Sequence, residues 1–226
     1  MKKQHALSLL LFLGLPAVQG QAATPAAPAQ PAEKQPMGFF ITSVNMGDGA
    51  NLGGLSGADA HCQKLANAVG SKRTWHAYLS TQATADAPAV NARDRIGKGP
   101  WYNVNGYLMA SSVDDLHYNN AALGSEYSLS EKGERIQSRA LGDKLGQHDI
   151  LTGTRMDGTA FPPGTDATCR NWTSNDKGIA MLGHHDRRNF AALGASWNSA
   201  HPSNGCSAKD LEATAGDGLF YCFAID

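Results

Sequence analysis

The chain has 226 residues and a formal net charge of -1, with 19 basic residues against 20 acidic ones and no basic run. Nucleic acid and anionic membrane surfaces, both recognised through clustered Lys and Arg, are therefore not expected as main partners. Charged residues make up only 17% while Gly, Asn, Ser and Ala are frequent, which suits a loop-rich extracellular fold better than a helical bundle.

The N-terminus reads MKKQHALSLLLFLGLPAVQG: two lysines, then an apolar stretch of about ten residues, too short to span a bilayer core of roughly 30 Å. Small residues follow, with cleavage sites after Gly20 or Ala22. Residues 1–22 are expected to be a secretory signal peptide that directs the chain to the periplasm or outside the cell. Residues 23–36, ATPAAPAQPAEKQP, alternate Ala and Pro with few large apolar side chains, the composition of a flexible, partly extended linker. Residues 37–226 are long enough for one domain with its own core. No later run is apolar enough to insert into a membrane.

Within that domain, GFFITSV (38–44) predicts a strand. LSGADAHCQKLANAVG (55–70) predicts a helix: Ala58, Cys62, Leu65, Ala66 and Val69 share one face, Ser56 and Asp59 have the spacing of a capping box, and Gly70 is a stop. TWHAYLST (74–81) alternates and predicts a second strand. GPWYNVNGYLMAS is read as irregular strand, and DILTGTRMDGTAF as a hairpin turning at Asp157-Gly158. CRNWTSN is read as the start of another strand. GLFYCFAID (218–226) is a buried terminal strand.

The four cysteines are Cys62, Cys169, Cys206 and Cys222. An even count in an exported chain argues for disulfides, and the lack of a CxxC pair argues against structural zinc. Spacing alone allows three pairings. Element placement favours Cys62–Cys222, fastening the first helix to the last strand, with Cys169–Cys206 nested inside.

This order of strand, cysteine-bearing helix, WHAYLS strand, long loop region, then Cys…Trp…Cys…YCF resembles the C-type lectin-like superfamily. Within it, GADAHCQKLANAVG, TWHAYLST, RIGKGPWYNVNG, RMDGTAF, TCRNWTS and YCFAID resemble endostatin, the C-terminal domain of certain collagens. The resemblance implies an α+β fold of short antiparallel strands with one or two helices, a long loop region and two disulfides. It further implies a non-enzymatic lectin-like module that binds a glycan or matrix-like ligand. Three departures bear on function. The Glu-Pro-Asn or Gln-Pro-Asp loop of calcium-dependent lectins is missing, and WNS (197–199) stands where such lectins carry Trp-Asn-Asp. Endostatin holds zinc through N-terminal histidines, and this chain has none between the signal peptide and Met37. Of endostatin's arginine-rich heparin site, only Arg187-Arg188 has a counterpart.

Two segments between Cys169 and Cys206 concentrate binding chemistry. GHHDRRN supplies His184, His185, Asp186 and Arg187, and SWNSAHPSN supplies Asn198 and His201. Imidazole and carboxylate suit a metal, guanidinium an acidic sugar, and amides beside an aromatic face suit a pyranose. His184, Asp186, Arg187, Asn198 and His201 are the expected ligand contacts, while Trp172 and Trp197 are expected in the core. Adjacent strand residues face opposite ways, so His184 and His185 are not expected to share a metal. GPWYNVNGY is a second aromatic and amide face. No Gly-x-Ser-x-Gly elbow or HExxH helix occurs. A sulfatase-activating enzyme shares the C-type lectin-like fold, but it needs reactive cysteines. No cofactor or metal is expected for the binding module. The rival readings are a metal-dependent hydrolase built on His184-His185-Asp186 and a purely structural surface protein. Because WNS lacks the acidic calcium ligand, millimolar calcium should leave the melting temperature unchanged. A bound site saturated a hundredfold above its Kd would add about 2.7 kcal/mol, readily seen by differential scanning fluorimetry.

Overall fold

The computed structural model describes residues 34–119, 123–124, 126–186 and 196–226. The segment expected to be a signal peptide, most of the expected linker and Arg187 lie outside the described residues. The fold is mixed α+β, with few helices, small sheets and two disulfides.

Its main sheet is organised by the terminal strand. In GLFYCFA, Leu219, Tyr221 and Phe223 project to one side and Phe220, Cys222 and Ala224 to the other, as the period-2 pleat requires. Both sides are buried. On one, Phe220 and Cys222 pack with Phe40, Leu65, Trp75, Leu151, Trp172 and Leu182 beneath the first helix. On the other, Leu219, Tyr221 and Phe223 pack with Phe39, Tyr78, Trp101, Ile150 and Trp197. Trp172 and Trp197 are thus core residues, as expected. In chain order the elements are β1 (Phe39–Ile41), α1 (Gly54–Ala68), β2 (Trp75–Ala77), β3 (Trp101–Tyr102), β4 (Leu108–Ala110), α2 (Val113–Tyr118), β5 (Asp149–Leu151), β6 (Met181–His184), β7 (His201–Pro202), a short helix Ala208–Glu212 and β8 (Gly216–Ala224). The sheet runs β1-β8-β5-β6-β7, with β2 also pairing β8. β3 and β4 form a separate bulged hairpin.

Five local expectations are corrected. The sheet is not wholly antiparallel: β5 runs parallel to β8, with Asp149 opposite Gly216 and Leu151 opposite Phe220. The one or two helices become α1, α2 and the short Ala208–Glu212, closed by a capping box of Ser207 and Asp210. DILTGTRMDGTAF turns at Asp157-Gly158, with Gly158 N–H donating to the Arg155 carbonyl at 2.9 Å, but it is no hairpin, because β5 pairs β6 and β8 instead. CRNWTSN does not start a strand. Cys169 to Trp172 form a left-handed turn, with φ between 48° and 65° at four successive non-glycine residues. That geometry costs roughly 1–2 kcal/mol per residue. It is held by the Cys169–Cys206 disulfide, by Trp172 Nε1–H donating to the Ser80 carbonyl at 2.8 Å, and by Asn171 bonding both backbone groups of Gln82.

The fifth correction concerns the capping box of α1. The helix begins after a left-handed Gly53 with no side-chain cap, and Ser56 is exposed. Asp59 instead faces inward. Its Oδ1 accepts from the Ala77 N–H at 2.8 Å, and its two oxygens take a bidentate pair from Arg95 at 3.1 and 2.7 Å. It therefore ties α1 to the end of β2. The Cys62–Cys222 bridge, spanning 160 residues, adds a covalent link from α1 to β8. In the chain-entropy treatment closing such a loop contributes about 5 kcal/mol. Asp59→Ala, which leaves the Arg95 guanidinium only the Ala77 carbonyl and leaves the Ala77 N–H without its acceptor, should lower the unfolding free energy by about 2–4 kcal/mol. Ser56→Ala should change it by less than about 0.5 kcal/mol. Urea denaturation of the two variants checks both values.

Candidate functional site

The site sits where the main sheet gives way to solvent at one end. Asp149 pairs with His184 and Leu151 with Leu182 across β5 and β6, and His201 of β7 stands opposite Leu182. By strand alternation Asp149 and His184 share a face with the buried Leu151 and Leu182. The core therefore continues into a polar patch one step along the same face. His148, just before β5, completes the group.

All three imidazoles turn a nitrogen toward one oxygen. From Asp149 Oδ1, His184 Nε2 lies at 3.2 Å, His201 Nε2 at 3.5 Å and His148 Nε2 at 3.7 Å. The rings of His148 and His184 are 3.8 Å apart at their centroids, and those of His184 and His201 are 5.0 Å apart. The Asp149 side chain is fully buried, whereas those of His184, His148 and His201 are 12%, 24% and 36% exposed. Burial thus grades from the carboxylate outward to the rim. Neither Asp149 oxygen receives a hydrogen bond, and His184 Nε2 makes none. The approach is close, yet no hydrogen bond joins these rings to the carboxylate.

Behind this group the outer ring nitrogens are held. His148 donates its Nδ1–H to Asp186 Oδ1, and Ser138 Oγ donates to Asp186 Oδ2. His201 Nδ1–H donates to the Pro202 carbonyl at 3.0 Å. Burial works against charge on the Asp186 carboxyl, but the bonds from His148 and Ser138 outweigh it and bring its pKa down to about 2. Burial likewise opposes protonation of His148, and the adjacent Asp186 carboxylate overcomes it, leaving the pKa above the ordinary histidine value. His148, Asp149 and His184 present one ligand atom each within 4.8 Å of one another, a set able to hold a metal ion.

The expected contacts divide. His184 and His201 do come together. Asp186 is buried and serves as the anchor of His148, not as a surface contact. Asn198 must be reassigned: it is 1% exposed, and its Nδ2 donates to Tyr78 Oη and to the carbonyls of Arg155 and Met156 at 2.9–3.2 Å. Its Oδ1 accepts from Ser196 Oγ. With these groups committed, the amide is structural and cannot meet a ligand. Arg187 lies outside the described residues. His185 is fully buried on the side away from His184, as alternation requires, and neither of its ring nitrogens makes a hydrogen bond. On the GPWYNVNGY face, Trp101 and Asn103 are buried, while Tyr107 is 56% exposed and 5.2 Å from the Tyr127 ring. Sequence reasoning missed His148 and Asp149. Their signal is a second His-Asp pair in QHDIL, placed at the mouth of a strand as HHD is.

No family model and no curated protein matches the chain.

Burial, only partly offset by the nearby Asp186 carboxylate, lowers the His185 pKa to about 4. The unfolded chain takes up this proton near 6.5, so between pH 6.5 and 4 the unfolded state holds more protons and stability falls as pH falls. The full span corresponds to roughly 3 kcal/mol. His148, with its raised pKa, acts in the opposite sense, so a variant is needed to isolate the effect. His185→Leu should be at least as stable as the parent at pH 7 and should lose less between pH 6.5 and 4, as measured by urea unfolding at several pH values.

Proposed function

We propose that the chain is a secreted or periplasmic, non-enzymatic binding module of the C-type lectin-like class. Its ligand is a carbohydrate or another extracellular, matrix-like molecule, met at the sheet edge formed by His148, His184 and His201. The observation that carries this reading is the convergence of His148, just before β5, His184 of β6 and His201 of β7 on one solvent-open edge. Two disulfides fit an oxidising compartment. No helix among the described residues is long and apolar enough to cross a membrane, which fits a module without membrane insertion.

The arrangement favours binding over hydrolysis. An Asp–His pair like Asp186–His148 activates a nucleophile only if the far ring nitrogen meets a hydroxyl or thiol. Here that nitrogen faces the Asp149 carboxylate. The Tyr78–His117 pair, at 2.7 Å, is sealed in the core, where burial raises the phenol pKa and lowers that of the imidazole. A glycan array should return binders, and His201→Ala should weaken the best of them by about ten- to a hundredfold, with the fold intact by circular dichroism. Unchanged affinity in both His201→Ala and His184→Ala would exclude this edge and turn attention to Tyr107 and its hairpin.

A further inference from the structure

We infer that His148, Asp149 and His184 are ligands of a divalent transition-metal ion, with zinc the best match, and that His201 moves in from the rim to complete the set. This set shares no position with the N-terminal histidine site implied by the endostatin resemblance. The inference goes beyond the ligand reading, since the ion is held whether or not a glycan is recognised.

The first argument is the buried carboxylate. Asp149 is fully buried, carries two oxygens without a donor, and has three imidazole nitrogens crowded around one of them. An uncompensated buried carboxylate is strongly unfavourable and seldom tolerated. A cation among these atoms would compensate the carboxylate and give His184 Nε2 a partner in the same act.

The spacing is the second argument. Ligands about 2.0–2.1 Å from a tetrahedral zinc stand about 3.3–3.4 Å from one another. The nitrogens of His184, His201 and His148 lie 3.2, 3.5 and 3.7 Å from Asp149 Oδ1 and none bonds it; the atoms of His148, Asp149 and His184 lie within 4.8 Å of one another, the relation of co-ligands, while His201 has to shift inward to join them. Third, the outer nitrogens are already assigned. With Nδ1–H of His148 given to Asp186 and Nδ1–H of His201 given to Pro202, each Nε2 of the neutral ring keeps its lone pair for a metal. Ser138 in turn fixes Asp186.

Donor type selects the ion. Calcium and magnesium require six or more oxygens, and this set offers one carboxylate and three imidazoles, the preference of zinc and its neighbours. The ligands come from β5, its preceding residue, β6 and β7, so the ion would clip the two-residue β7 to the sheet.

The test uses the tag-free full chain after chelator treatment, titrated with zinc chloride alone. Calorimetry should give saturable uptake of a single equivalent and a higher melting temperature, with no response to calcium. Cobalt should give the visible absorption of a tetrahedral N/O site. His201→Ala, at the exposed rim, should keep the fold and weaken zinc binding by more than tenfold. Asp186→Asn, acting through His148, should weaken it by about 10–100-fold. Absence of saturable zinc uptake by the parent, or affinity unchanged in both His201→Ala and His148→Ala, would overturn the inference. Zinc uptake without glycan binding would leave the metal site standing and remove only the ligand reading. Glycan binding with no zinc uptake would do the reverse.

Discussion

The rest of the structure depends on β8 being buried on both faces. A strand with one wet face can be polar on alternate residues, but Leu219 through Ala224 have no such face. Every neighbour must therefore supply apolar cover on one side or the other. α1 and Trp172 cover one side, Trp101, Trp197 and Tyr78 the other. Once both faces are covered, strand order follows: β1 and β2 flank the C-terminal half of β8, and β5 runs beside its N-terminal half. The parallel pairing brings Asp149 beside Gly216, where an added Cβ would stand a tight 3.1 Å from the Leu211 carbonyl oxygen and 3.2 Å from the Cβ of Asp149. The site thus inherits its position from the way β8 is packed.

What could be read from the sequence was whatever side-chain period or cysteine placement encodes. α1, β1, β2, β8 and both disulfides fall in that class, because Ala58, Cys62, Leu65 and Ala66 repeat at helical spacing and FYCF can only be interior. Features set by a distant partner stayed hidden. Asp59 has the sequence spacing of a cap, yet Arg95 and the Ala77 N–H offer it more than the helix terminus could. The left-handed turn at Cys169 is imposed by Ser80, Gln82 and Cys206, none of them local. The parallel pairing of β5 leaves no mark on either strand, since burial on both faces erases the alternation that would show orientation.

The site divides in the same way. His184 and His201 were visible because polar residues clustered in short segments, and their opposition to His185 followed from strand geometry. Asn198 was misread for a physical reason: an amide flanked by Trp and Ser has the same composition whether it meets a sugar or caps Tyr78 and two backbone carbonyls. His148 and Asp149 were missed because a single His-Asp pair carries no information until β6 and β7 are brought alongside. Polarity and burial come into conflict at Asp149, whose two oxygens are buried without a hydrogen-bond donor.

The outermost strand of the sheet is only His201–Pro202, and Pro202 has no N–H to offer a further strand. An extended peptide therefore cannot extend the sheet there by main-chain pairing, the mode in which backbone hydrogen bonds supply affinity and sequence matters little. Any contact made at this edge must pass through side chains, and His201 is the exposed one of the three imidazoles there. The same blunt margin keeps neighbouring copies from joining edge to edge through main-chain pairing at β7.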